Sequence, residues 1–512
     1  MVFKIKTMTN IGLQGYEVVV ESDSNKSLPT IEIVGLPDNS IKESKERIKA
    51  TFRSCGIELP SRKIVLNLSP SDIRKIGTRF DLPMAIAILL LSLEGQTSKL
   101  EFLEETLFFG ELGLDGTIKP VNGILPSVIQ GVNKGYKNFV VPNENAYELK
   151  YIQGINIYPI HNFRELYNFV AFGEDLKISD KNNLDDIINS IENEIDFSDI
   201  SGHEFAKRVL TVAASGFHNV LMIGPPGSGK TLLSKAVSGI LPPMDFEEIL
   251  DVSQIYSLVG KLNKDNPLIT SRQFRIVHHT ASKISIVGGG TYLNPGEVSL
   301  AHKGVLFLDE LPEFGRDTLD VLRQPIEDKK IHISRVNGTV EYPADFMLLA
   351  SMNPCKCGYY KDLQKDCTCS INEIKKYQGK ISGPMLDRFD VILEIPRENT
   401  EKIITKTKEK TSAQIKKEVE NAFKLQEKRF SGMDIKYNSQ MSGKHVNEFV
   451  KLDNEAKEFL ENASKSLSLS PRVIHRIMKL SRTIADINGQ ENVSKQHIAE
   501  SLQYRSKNML LE

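Results

Sequence analysis

Excess charge of either sign is missing from this sequence: 65 Lys and Arg stand against 66 Asp and Glu, a formal net charge of -1. The overall balance announces no nucleic-acid binder, so any such contact has to come from local patches. Long apolar runs are missing as well. The longest, Leu82 to Leu93, is about half of what a bilayer crossing needs, and the start, MVFKIKTMTN, has no signal-peptide core. Both absences point to a soluble, cytoplasmic protein with no membrane partner. Cysteine is scarce: of 5 in the chain, four fall between Cys355 and Cys369. That clustering is unlike a secreted disulfide framework and closer to a metal clip in a reducing compartment. The length, 512 residues, leaves room for roughly three domains of about 150 residues each.

The most informative stretch is VLMIGPPGSGKT, Val220 to Thr231. An apolar run meets GxxxxGK[ST] and then the helix-like LLSKAVSGI, giving strand, phosphate loop and helix in the order that the chemistry needs. Glycines let backbone N–H groups turn around phosphate oxygens, and the helix start adds its positive dipole end. Gly224, Pro225, Pro226, Gly227, Ser228, Gly229, Lys230, Thr231 and the adjoining Leu232 form the candidate cradle for ATP. Lys230 is expected to reach the β and γ phosphates and Thr231 to ligate Mg2+. About eighty residues later VLFLDE, Val305–Glu310, is a buried parallel strand tipped by two acids. Asp309 would hold the Mg2+ shell, and Glu310 would orient and deprotonate the attacking water.

Before the loop, 1–172 alternates strand-like runs (YEVVVES, TIEIVGLP, KIVLNLSP, TLFFGELGL, FVVP) with helix-like ones at 41–52, 82–93 and 124–133, an α/β unit. Ser40 and Glu43 make a capping-box pattern for the first helix, and Gly56 follows its end. Residues 173–199 are acidic and Asn-rich, a linker with a short helix in LDDIINSIENEI. An amphipathic helix at Glu204–Ser215 precedes the phosphate-loop strand. Behind the acid-tipped strand, two alternating runs flank Asn337–Gly338, a hairpin signal. FMLLASMNP, 346–354, is a further apolar strand, ending at Asn353. Cys355, Cys357, Cys367 and Cys369 follow as CxC, nine residues, CxC. Structural Zn2+, reversible disulfides and free thiols all fit this spacing, with Zn2+ favoured; Cys55 stands alone as a small buried residue. From about Arg397 the chain reads helical, opening on a lysine-rich run read as a solvated helix face. Ser470 and Pro471 make a helix start before RVIHRIMKLSRTIADI.

Two resemblances add to this. GELGLDGTIKPVNGIL and GYKNFVVPNEN resemble the Lon proteolytic domain, whose Ser/Lys pair is missing here. Gly77, Thr78, Arg79, Phe80 and Asp81 stand where the serine would fall, and Leu125 and Pro126 where the lysine would. A scaffold or partner-binding domain is therefore expected rather than acyl chemistry. The run from RIVHHTAS through GEVSLAHKGVLFLDELPEF to SMNPCKCGYY is similar to the magnesium-chelatase-like AAA+ family and, with the Lon-like start, to its ComM (YifB) branch. The resemblance implies an α/β protein with a Lon-like domain at 1–172, a P-loop AAA+ parallel-sheet core at 200–396 and an α-helical lid at 397–512. It makes Asn353 sensor 1, Arg388 the arginine finger and Arg472 sensor 2. It also makes Ile200, Gly202 and His203 candidates near the adenine, His203 being read as a surface or capping residue. Lys329, Lys330, His332 and Arg335 would sit on a hairpin aimed into a ring pore, against the alternative of a solvated hairpin. The implied assembly is a homo-oligomeric ring, a hexamer, and the implied activity is ATP hydrolysis driving DNA branch migration in natural transformation. A chelatase-type motor acting on a protein or metal-insertion partner and an ATP-dependent peptidase are the competing readings.

Overall fold

The structure is a computed structural model, and it describes residues 2–183, 195–335, 338–362, 364–398, 409–505 and 510. Strands with alternating burial open the chain: Phe3–Ile11, Gln14–Asn25, Thr30–Val34 and Lys63–Ser69, followed by the shorter Thr106–Phe108, Asn138–Pro142 and Asn156–Ile160. They make one mixed sheet in the order 30–34, 63–69, 14–25, 3–11, 106–108, 138–142, 156–160. The helix Asp81–Ser92 is buried from Asp81 to Leu91 and packs on the first two strands, as a helix with no polar face has to be. Ile124–Asn133 forms the expected helix.

The first helix, Asn39–Ser54, corrects one expectation. Its N-cap is Asp38, whose extended backbone lets the carboxylate accept from Ile41 N at 2.9 Å, while the Ser40 hydroxyl donates to that same carboxylate at 2.7 Å. A carboxylate at the cap also suits the helix dipole, and so Asp38, not a Ser40–Glu43 box, starts the helix. Gly56, at φ 67°, follows its end as expected.

At the Lon-like positions the polar groups are engaged internally. Thr78 Oγ1 donates to Glu111, Arg79 Nη1 donates to Ser127 at 3.0 Å, and the buried Asp81 pairs with Arg47 Nε at 2.6 Å. Leu125 and Pro126 are buried. No hydroxyl–amine pair forms among these residues.

The expected linker begins as a strap. Ser179 N donates to Ile157 O at 2.8 Å and Lys181 Nζ to Ile152 O at 2.7 Å, so 173–183 lies along the first sheet's unit. The short helix expected at 184–194 lies outside the described residues.

Short, largely apolar strands then build a parallel five-stranded sheet: Phe274–Val277, Val305–Leu308, Met347–Met352, Val220–Ile223 and Val391–Glu394, in that spatial order. The acid-tipped strand stops at Leu308, leaving Asp309 and Glu310 beyond it. The hairpin pairs Lys330–Arg335 with Gly338–Pro343, from Lys330↔Pro343 to Arg335↔Gly338; Asn337 lies outside the described residues. The helices Ser412–Arg429, Gly443–Phe449, Asn454–Ser466, Pro471–Ile487 and Lys495–Gln503 follow. The first of them buries Ile415, Val419, Ala422 and Phe423 against the helices Glu204–Gly216 and Lys230–Ile240 and leaves Lys417, Lys424 and Lys428 exposed. Ser470 caps Pro471–Ile487, as read.

The two sheets are joined by shared packing. Met8, Leu107 and Ile124 lie in one apolar cluster with Ile249, Val252 and Ile255, and Ser257 Oγ donates to the buried Glu148 carboxylate at 2.6 Å. The turn after the first strand meets the hairpin: a Cβ on Gly12 would stand 3.2 Å from Val340 Cβ, and Ile11 and Leu13 pack on the cluster holding Val340 and Tyr342.

Candidate nucleotide site

Three core strands end side by side at one edge of the sheet: Val220–Ile223, Val305–Leu308 and, between them, Met347–Met352. The first passes into the loop 224–229 and the helix Lys230–Ile240, so loop N–H groups and the helix start converge. Gly227 and Gly229 have φ of 78° and 79°, the left-handed conformation that bends a loop around an anion and that side chains disfavour. Gly224 is small for another reason, since a Cβ there would stand 2.2 Å from Ile395 O.

Lys230 is buried, and its Nζ donates to the carbonyls of Gly224 at 2.7 Å and Pro225 at 2.8 Å and to Asn353 Oδ1 at 3.3 Å. Burial pushes its ammonium down to about 8, against the pull of Asp309 and Glu310. Thr231 Oγ1 donates to Asp309 Oδ2 at 3.2 Å, and the Ser351 hydroxyl donates to Asp309 Oδ1. Both carboxylate oxygens are therefore oriented. Glu310, at φ 54°, turns its carboxylate to within 3.4 Å of His279 Nδ1. The folding thus gathers Lys230, Thr231, Asp309, Glu310 and Asn353. Leu232 is exposed.

These residues suit a Mg2+-bound nucleoside triphosphate. Ser228 Oγ is buried in the loop without a hydrogen-bond partner, which is costly unless a ligand oxygen meets it. The Thr231 hydroxyl and the Asp309 carboxylate supply the hard oxygen donors that Mg2+ takes.

His203 holds the N-cap position of the helix Glu204–Gly216, as its capping reading has it, but its side chain does not lie on the surface. Its side chain is 8 % exposed, its Nδ1 lies 3.5 Å from Glu398 Oε1, and the helix after it has no side-chain cap. Its ring faces the phosphate loop, 3.7 Å from where a Gly229 Cβ would be. Ile200 is buried, and Gly202 N donates to Glu409 at 3.0 Å.

Arg388 and Arg472 lie at the opposite edge of the sheet. Val391–Glu394 runs parallel to Val220–Ile223 in register, Val220↔Val391 to Ile223↔Glu394. Arg388 therefore precedes the strands, whereas the phosphate loop follows them, and four residues of strand alone span roughly 13 Å. Arg388 pairs with Glu327, and its Nε has no hydrogen bond. Arg472, 76 % exposed, is 3.9 Å from Asp387, and Arg476 donates to the Asp387 carbonyl. All three arginines line one open cleft of about 700 Å³. Lys329 and Lys330 line this cleft too; Lys329 caps the end of the helix Arg316–Asp328, 3.5 Å from Asp345, and so precedes the hairpin rather than lying on its face. Lys330 and His332 do lie on that face, paired with Glu341 at 2.8 and 3.4 Å, and Arg335 is exposed near the far end.

The thiols of Cys355, Cys357, Cys367 and Cys369 lie within 4.8 Å of one another, and three of the separations are 3.3, 3.5 and 3.7 Å. A tetrahedral Zn2+ with bonds of about 2.3 Å asks for sulfur pairs roughly 3.8 Å apart. The seat fits such an ion with small adjustments.

Comparison with known proteins agrees with this geometry. Residues 196–403 match the model of magnesium chelatase subunit ChlI, 20–145 a second ChlI model, and 409–505 the ChlI C-terminal model. The chain is 38% identical over 511 residues to the competence protein ComM of Haemophilus influenzae, covering 99% of this chain and 98% of that one. It belongs to the ComM/YifB family of magnesium-chelatase-like proteins. YifB of Escherichia coli, itself uncharacterized, is 38% identical over 509 residues, 99% of this chain and 97% of YifB. The magnesium-chelatase 67 kDa subunit of Chlorobaculum parvum matches only 164 residues, 29% identical, 31% of this chain and 23% of that subunit. As a ComM/YifB-type protein the chain has the AAA+ parallel-sheet core of magnesium chelatases, and the family implies ATP and Mg2+ as ligands. Among the described residues no helix is long and apolar enough to cross a membrane.

Reading the sequence missed His279, Ser351 and Arg476. The pair His278–His279 in RIVHHTAS was visible, but its approach to Glu310 depends on sheet order, which no local pattern encodes.

Proposed function

We propose that this protein is a ring-forming cytoplasmic ATPase, built as a Lon-like unit at 1–172, an AAA+ core at 200–396 and a helical lid at 397–512, that turns ATP hydrolysis into movement along DNA. Branch migration is the specific work proposed, on the strength of full-length likeness to a competence protein. The observation that carries the ring is the position of Arg388. It stands at the sheet edge away from its own Lys230, so a site using both needs a neighbouring copy, and head-to-tail contacts close into a ring of six in this reading.

In each site the loop amides and Lys230 bind and orient the β and γ phosphates, and Thr231 and Asp309 hold Mg2+, which draws charge from the phosphate oxygens when bound. Asn353 donates to phosphate and accepts from water through one amide. Glu310 takes the proton of that water, with the His279 ring 3.4 Å from its carboxylate. Arg388 from the neighbour meets the charge developing on the transferred group, and Arg472, beside it, serves that same seam. Lys330, His332 and Arg335 present the cationic face of the hairpin to the DNA backbone.

The test is ATPase activity with and without forked or single-stranded DNA and with an unfolded protein such as casein. Stimulation by DNA alone, together with unwinding of a synthetic junction and loss of both in Glu310→Gln, supports the motor. Indifference to DNA rejects it, and stimulation by casein favours a motor working on protein partners or a peptidase.

A further inference from the structure

The cysteine module leans on the phosphate loop. It leaves the central strand immediately after Asn353, and no helix or strand occurs among its described residues until Ile371. Among the described residues in 356–370 Gly358 is buried and Asp362 buries its carboxylate, but no apolar side chain is buried, so apolar packing gives this segment little to hold it. What Gly358 is buried against is the loop: a Cβ there would stand 2.6 Å from Pro226 Cδ. A second contact comes from the side. Arg397 Nε lies 3.2 Å from the carboxylate of Asp362, which is 3 % exposed, and the guanidinium sits over the Tyr359 ring at 5.3 Å. Its Nη2 also donates to the Pro226 carbonyl at 3.5 Å. Within the module Tyr360 N donates to Cys355 Sγ at 3.3 Å, the kind of amide–sulfur bond that stabilises a thiolate.

We propose that Zn2+ held by Cys355, Cys357, Cys367 and Cys369 staples this segment against Pro226, so that metal occupancy sets the affinity of the phosphate loop for nucleotide. The inference rests on the nucleotide reading of that loop. Without the ion, a stretch with no buried apolar side chain is held by a few polar contacts alone, and the wall it makes against Pro226 loosens. Preorganisation of the loop is then paid from binding. Coupling of this kind is reciprocal: nucleotide has to retain the metal by the factor by which metal tightens nucleotide.

The experiment uses the full chain. Elemental analysis of protein purified under reductant is expected to give one zinc per chain; none would overturn the staple. Removal of zinc by a chelator is expected to weaken binding of a fluorescent ATP analogue with Mg2+ about tenfold, with recovery on adding Zn2+. In the converse arm, a saturating non-hydrolysable ATP analogue slows zinc release to a colorimetric chelator several-fold. Asp362→Asn keeps all four thiols, so zinc content stays unchanged while analogue affinity falls, which decides the matter even if the stripped protein unfolds. Unchanged affinity in both zinc-free and Asp362→Asn proteins would overturn the coupling. Lys230→Ala separates the two levels: if it still binds the analogue normally, the nucleotide reading itself is wrong.

Discussion

The two edges of the core sheet are built to opposite plans. At the edge where the strands end, Lys230, Thr231, Asp309, Ser351 and Asn353 are tied to one another by hydrogen bonds of side chain and backbone. At the edge where they begin, Arg388, Arg472 and Arg476 line an open cleft. The first edge gathers its groups around the phosphate loop of its own chain, whereas the second sets its arginines among acids in an open cleft, with Arg472 the exposed one. On the shared-site proposal each edge carries half of a reaction centre, and stacked copies would bring the halves together.

This contrast breaks most sharply with Lys230→Ala, expected to take analogue binding and ATP turnover to background in direct titration and phosphate-release assays. Arg388→Ala is the informative counterpart. It should bind nucleotide normally and lose turnover by roughly 10³-fold, and mixing it with Lys230→Ala chains should restore part of the rate, since mixed seams contain one intact site. Parental turnover by Arg388→Ala in an assembled state would end the shared-site account. Arg472→Ala, removing a more exposed charge from the same cleft, should cost about tenfold in turnover, about 1.4 kcal/mol, with binding again intact.

The smallest effect sharpens the comparison through pH. Because burial holds the Lys230 ammonium down at about 8, and phosphate needs the protonated form, affinity should be flat below about pH 8 and fall roughly tenfold per unit above it. Titrating analogue affinity between pH 7 and pH 10 checks this. Arg388→Ala should leave the midpoint in place, since that residue stands at the other edge.

Local order was legible wherever a few residues decide the backbone. The spacing of Gly224, Gly229 and Lys230 fixes strand, loop and helix, and Ile124–Asn133 forms where apolar period and flanking glycine put it. Competing local signals misled where two patterns overlapped. Asp38, Ser40 and Glu43 all suit a helix start, and only the extended backbone of Asp38 selects the first. Lys329 looked like the first residue of the hairpin, but at φ 57° it ends the preceding helix and turns toward Asp345. Contacts across the sheet were not legible from local pattern. Ser351 on Asp309, His279 on Glu310 and Gly358 on Pro226 each join segments brought together by strand order, and only the family resemblance offered any hint of that order.

The turn at Gly12 carries one more consequence. With Val340, midway along the hairpin, seated so closely against it that a side chain would be crowded, a load on the hairpin's tip would press on the turn that follows the leading strand of the first sheet. The N-terminal unit would thereby brace the hairpin, so that the hairpin's swing depends on a part of the chain far from the nucleotide.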